Sequence, residues 1–152
     1  MREIGDATGL AAAIEDAFPG SALHIGGHDG RLAVTLAQRG LLRPLGAAEL
    51  SDGTLRFLLW IAALLTPRPP VLMVLNEPET SLHPDLLPAL ARLIGSASAR
   101  TQLWVVSHST RLIAALEEIN GCVSIRLTKE LGESRIDGQG ALDRPAWKWP
   151  TR

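Results

Sequence analysis

Four short polar segments interrupt long apolar ones, and each carries side chains able to handle phosphate, a metal or a proton. Glu77 ends the apolar run Val71-Leu72-Met73-Val74-Leu75-Asn76 and is followed by Pro78-Glu79. A carboxylate so placed can take a proton from water attacking a γ-phosphate, although acidic residues after a strand also serve as plain solvated loop. His108, in Val105-Val106-Ser107-His108-Ser109-Thr110, can hydrogen-bond a phosphate oxygen or a water, or be structural. Ser51, Asp52 and Gly53 open a helical pattern, where a serine caps free N–H groups and a glycine lets an anion approach the backbone. Taken alone, a plain helix cap is the better reading there. Thr80-Ser81-Leu82-His83-Pro84-Asp85 is a turn leading into a proline-started helix, and His83 can be no more than its cap.

The elements that must carry these residues follow from periodicity. Residues 7–17 place Leu10, Ile14 and Ala17 on one helical face, and Pro19-Gly20 ends the pattern. Ala22 to Ile25 and Arg31 to Ala37 read as an antiparallel strand pair linked by residues 26–30. After Ser51, the spacing of Leu55, Leu58, Leu59, Ala62 and Leu65 predicts a largely buried helix, closed by Pro67, Pro69 and Pro70. Val71 to Leu75 and Leu103 to Val106 read as buried parallel strands, with helices over Pro84 to Ile94 and Thr110 to Glu118. Cys122 to Leu127 and Ser134 to Asp137 predict a closing hairpin, followed by a tail holding Trp147, Lys148 and Trp149. Alternating strands and helices over residues 51–127 call for an α/β layer with a mostly parallel sheet.

Composition narrows the classes. The chain has 152 residues, 46% hydrophobic and 20% charged, which suits a single globular domain and excludes a disordered tail. A net charge of −1 with scattered basic residues leaves DNA binding without an electrostatic footprint. The lone Cys122 excludes an intramolecular disulfide and is expected to be a buried strand residue. No run reaches the roughly 18 apolar residues that span a bilayer, and residues 1–6 lack the order of a signal peptide, so a cytoplasmic protein with no membrane partner is expected.

Taken in order, the four segments resemble the ABC ATPase core, in particular the RecF and OLD-like ATPases. Leu50 to Gly53 is similar to the signature loop, Val71 to Glu77 to the Walker B strand, Ser81 to Asp85 to the D-loop, and His108 to the switch histidine; the resemblance extends over residues 7 to 150. It implies a partial P-loop NTPase fold in which 1–49 form an N-terminal helix and hairpin, 50–120 the motif-bearing layer, and 121–152 a closing hairpin and tail. It also implies ATP sandwiched head to tail between two cores. Ser51, Asp52 and Gly53 would then meet the nucleotide in trans, and Ser81, His83 and Asp85 would cross the seam beside it. Glu77 would polarise the attacking water, and His108 would sense the γ-phosphate.

Two departures follow. Nowhere is there a G-x-x-x-x-G-K-[ST] loop, and the only lysines, Lys129 and Lys148, follow Thr128 and Trp147. The chain is therefore expected to be inactive alone and to need a P-loop-bearing half or partner subunit. Without the P-loop strand, apolar sheet surface or an open edge should favour association, including a homodimer. Asn76 stands where the family has an aspartate that meets Mg²⁺ through water, so magnesium retention should weaken. The alternative is a non-catalytic assembly module that keeps the fold.

Overall fold

The computed structural model describes residues 6–28, 30–130 and 132–138. The chain forms two compact units, one through Asn120 and one from Gly121 onward.

The first unit begins with α1 (Ala7–Ala17), whose start is fixed by Asp6 accepting the Gly9 N–H at 2.8 Å. Ile14 is buried and Leu10 and Ala17 pack beside it, as the helical spacing requires. Strands β1 (Ala22–His28) and β2 (Arg31–Ala37) pair antiparallel, and β3 (Leu45–Gly46) extends that sheet beside β2. The pairing runs on to His28↔Arg31, so Gly26 and Gly27 belong to the ladder and not to the expected link.

Helix α2 (Asp52–Leu64) follows Ser51, whose hydroxyl accepts the Thr54 N–H at 3.2 Å. Just before it, the Glu49 carboxylate accepts two bonds from Arg43 and the Gly46 N–H, and these hold its pKa down at about 2. The segment entering the helix is thereby tied to β3. The stripe of α2 that is buried is Phe57, Ile61 and Leu64; Leu58 and Leu65 of the expected stripe pack against that core, whereas Leu59 is 68% exposed, which corrects the expectation of general burial. From Phe57 onward every position of this helix is apolar, so periodicity alone has no polar face there with which to choose a side.

Strand β4 (Leu72–Asn76), α3 (Leu87–Ser98) and parallel strand β5 (Gln102–Val106) make a strand-helix-strand unit, with a 3₁₀ turn over Pro84–Leu86 ahead of α3. The helix α4 (Thr110–Glu117) follows β5. α3 is the hub: it packs against α1, α2 and α4 and buries Leu87, Leu90, Leu93 and Ile94. Small residues allow this crowding, since a Cβ on Gly95 would stand 3.0 Å from Ile119 Cδ1. Arg92 forms a two-point ion pair with Asp16, joining α3 to α1. Arg100 donates to the Leu64 and Thr66 carbonyls at 2.7 and 3.0 Å, capping the end of α2.

Among the described residues, the parallel sheet is covered on one face only. Leu75 is buried and Met73, Leu103 and Val105 pack toward the core, whereas the registered pair Val74 and Trp104 is 59% and 58% exposed. Leu72 and Val106 share that open face. The expectation of strands buried on both sides is therefore corrected: a continuous apolar run records the hydrophobicity of both faces, but not whether a second layer covers them.

The second unit contains the hairpin β6 (Leu127–Glu130) and β7 (Glu133–Ile136). The stretch 122–126 is not strand, and Cys122 is exposed, contrary to the expected buried strand cysteine. The tail with Trp147, Lys148 and Trp149 lies outside the described residues.

Candidate functional site

The carboxyl ends of β4 and β5 lie side by side, with Asn76 opposite Val106 and the Glu77 N–H donating to the Val106 carbonyl at 2.8 Å. Ligands in open α/β sheets bind at such strand ends. Here the chain turns sharply: Glu77 and Ser81 have φ of 47° and 63°, a left-handed conformation that costs a residue with a side chain about 1–2 kcal/mol each. Hydrogen bonds from Thr80 N–H to the Glu77 carbonyl and from Leu82 N–H to the Glu79 carbonyl, each 3.0 Å, hold the turn. The buried Pro78 accepts the Trp60 indole N–H at 3.0 Å, so α2 braces the same turn from the side.

Of the residues singled out by sequence, the structure brings Glu77 and His108 together. His108 Nδ1 is 3.7 Å from Glu77 Oε1, and both side chains face solvent, 75% and 49% exposed. The start of α2 docks on the same turn. A Cβ on Gly53 would stand 2.8 Å from the Ser81 carbonyl oxygen, so the helix approaches the 77–82 loop at glycine-only distance. Ser51 spends its hydroxyl on Thr54, and Asp52 places a negative charge in the first helical turn, where the helix dipole favours it. His83 caps the 3₁₀ turn by accepting the Asp85 N–H at 3.3 Å, and Asp85 pairs with Arg111 of α4 at 3.4 Å. Both side chains are exposed, only Asp85 reaches α4, and among the described residues no hydrogen bond or ion pair joins either of them to Glu77 or His108.

Sequence reasoning passed over Glu79. Its side chain is only 9% exposed, and Oε1 accepts the Ser107 hydroxyl at 2.7 Å and the N–H groups of His108 and Ser109 at 3.2 Å. The signal was available: a second carboxylate two residues after Glu77 and a serine beside His108 make a complementary pair. Burial pushes the Glu79 carboxyl up, but the bonds from Ser107, its own N–H, His108 and Ser109 together outweigh burial and hold it below its ordinary value of 4.5. A depressed folded-state pKa means that this stabilisation is complete above the unfolded value and is lost as pH falls through the folded one. Acid unfolding followed by circular dichroism should therefore be less steep below about pH 4.5 in Glu79→Gln than in the parent, and superimposable profiles would refute the linkage.

Among the described residues, no three His, Cys, Asp or Glu side chains gather as a metal cluster, and no helix is long and apolar enough to cross a membrane. Asn76 sits at the exposed tip of β4 beside the half-exposed Glu77. Such a pair suits a magnesium ion held mainly by phosphate oxygens and waters, which needs only one or two protein groups.

Residues 5–114 match the family model described as AAA domain, putative AbiEii toxin, Type IV TA system. No curated protein matches the chain. Among solved structures, the fold is similar to that of an SMC ATPase described for ATP-driven dimerization and DNA-stimulated activation. There the TM-score is 0.64 at 16% identity, over 86% of this chain and 80% of that one. It is also similar to an Smc head bound to the C-winged helix domain of ScpA (TM-score 0.69, 14% identity, 86% of this chain) and to the SMC head domain from Thermotoga maritima (0.60, 22%, 85%). The chain spans 41% and 45% of the lengths of these last two.

Proposed function

The chain belongs to the family described as AAA domain, putative AbiEii toxin, Type IV TA system, and from that premise we propose that it is the signature- and Walker B-bearing half of an ABC-type ATPase core of the RecF/OLD-like kind. In this reading it hydrolyses ATP only when a P-loop-bearing half or partner completes the site. The single observation that supports it most is the pairing of Glu77 with His108 at 3.7 Å on the tips of two parallel strands, on the turn against which α2 begins.

The chemistry then divides among this chain's own residues. Glu77, half exposed, takes the proton of the attacking water, while His108 donates a hydrogen bond to the γ-phosphate. Ser51 and the Gly53 backbone offer a helix start to a nucleotide held by the opposing core. Magnesium supplies charge neutralisation on the phosphates when bound, and Asn76 would hold one of its waters. The open face bearing Val74 and Trp104 supports a partner layer, because an apolar sheet face of this kind is costly to leave in water. The decisive measurement is ATP hydrolysis by the chain alone and mixed with a P-loop-bearing half: activity is expected only in the mixture.

Asn76 favours a second reading, an assembly module that has lost hydrolysis, because an amide brings no charge to a hard cation. The two readings part on Asn76→Asp. One added carboxylate near the ion is worth about 1 kcal/mol in a water-exposed site, so the magnesium concentration for half-maximal nucleotide binding in the mixture should fall roughly fivefold. Equal magnesium dependence in both forms would remove Asn76 from the metal's surroundings and favour the assembly module.

A further inference from the structure

Glu79 is the most enclosed carboxylate at the strand ends, and the division of labour just described makes no use of it. Its Oε1 gathers three donors from one loop: the Ser107 hydroxyl, the His108 N–H and the Ser109 N–H. Its Oε2 is buried and has no hydrogen-bond partner among the described residues. Ser107 Oγ in turn accepts the Ser109 N–H at 3.1 Å, and Ser109 caps α4 by accepting the Leu112 N–H at 3.3 Å. One carboxylate on the β4 side thus holds the whole passage from β5 into α4. Keeping a charge this enclosed with an oxygen unsatisfied is unfavourable. A loop that needed only a staple would be served by a neutral acceptor.

The imidazole shows what the charge can serve. His108 Nδ1 lies 3.8 Å from Glu79 Oε1 and 3.7 Å from Glu77 Oε1. Both separations are too long for direct hydrogen bonds, but two negative oxygens on the same side favour an N–H turned to that side, reached through a bridging water. We propose that Glu79 is a positioning residue of the hydrolytic site: it fixes residues 107–109 so that His108 turns Nδ1 toward the two carboxylates and keeps Nε2 for a phosphate oxygen. This rests on the proposed hydrolytic role of Glu77 and His108.

The test compares steady-state ATP hydrolysis by the mixture with a P-loop-bearing half, for the parent chain, Glu77→Gln, Glu79→Gln, Ser107→Ala and Ser107→Thr. Mispositioning a group near the reacting atoms costs up to about 100-fold, so Glu79→Gln should lower kcat by about 10- to 100-fold with KM unchanged within about twofold. Ser107→Ala should lower kcat in the same way, and Ser107→Thr, which retains the hydroxyl, should restore it. A residue that only held the fold together would lower melting temperature without this split between kcat and KM and without rescue by threonine. If Glu77→Gln abolishes turnover while Glu79→Gln matches the parent, the positioning role alone is overturned. Full activity in Glu77→Gln overturns the hydrolytic reading and the positioning role with it. Should Glu79→Gln fail to fold, the Ser107 pair decides: threonine no better than alanine sinks the proposal.

Discussion

Replacing Glu77 by glutamine in the completed complex is expected to lower ATP turnover by roughly 10²- to 10⁴-fold, the range that general-base catalysis supplies. The substitution keeps the shape of the side chain and removes only its ability to take a proton. The Glu77 side chain is 49% exposed, and the one ion pair it makes among the described residues is with His108 at 3.7 Å. The backbone bond from Glu77 N–H to the Val106 carbonyl does not depend on the side chain. The melting temperature should therefore stay close to that of the parent while turnover collapses, and nucleotide binding should persist or tighten because the bound state no longer decays. A Glu77→Gln complex that turns over ATP at the parental rate would remove the general base from the proposal.

Gly53→Ala is expected to destabilise the chain by about 1–3 kcal/mol, against the usual direction for such a change. In an exposed helix interior, alanine is favoured over glycine by roughly 1 kcal/mol. At Gly53 the new methyl group would stand 2.8 Å from the Ser81 carbonyl oxygen, which belongs to backbone and cannot swing aside like a side chain. Ser81 already lies in a left-handed conformation, and the turn is braced by Trp60 and by hydrogen bonds at Thr80 and Leu82, so the clash is relieved only by moving α2 or breaking the turn. Overpacking thus outweighs propensity. Chemical denaturation of both forms measures the sign, and a stabilised Gly53→Ala would show that α2 and the 77–82 turn do not meet as closely as described. In the mixture with a P-loop-bearing half the same variant should also lose activity, since the helix start and Glu77 are held by one turn.

Much of this arrangement could be read from residue order. The helix before Pro19, the strand pair over residues 22–37, the capped helix after Ser51 and the strand-helix-strand passage that delivers Glu77 and His108 all rest on local periodicity and breakers, and local rules suffice for them. The strand ends were legible for the same reason: an apolar run that stops at Asn76-Glu77-Pro78 has few ways to continue. Glu79 was less so, because its importance lies in burial and in three donors from residues 107–109, almost thirty positions away.

Residue types and spacing by themselves determined the helices after Asp6, Ser51 and Ser109 and the two parallel strands, and that two chemically able side chains end neighbouring strands, but not the length of β1 or the irregular stretch 122–126. Only the tertiary structure decided which stripe of α2 is buried, that the sheet keeps an apolar face open, that Cys122 is exposed, and that Gly53 must be glycine because of Ser81. The physical reason is range. Propensity and periodicity act over one or two turns of chain, whereas burial, close approach and the enclosure of a charge depend on which distant surfaces meet.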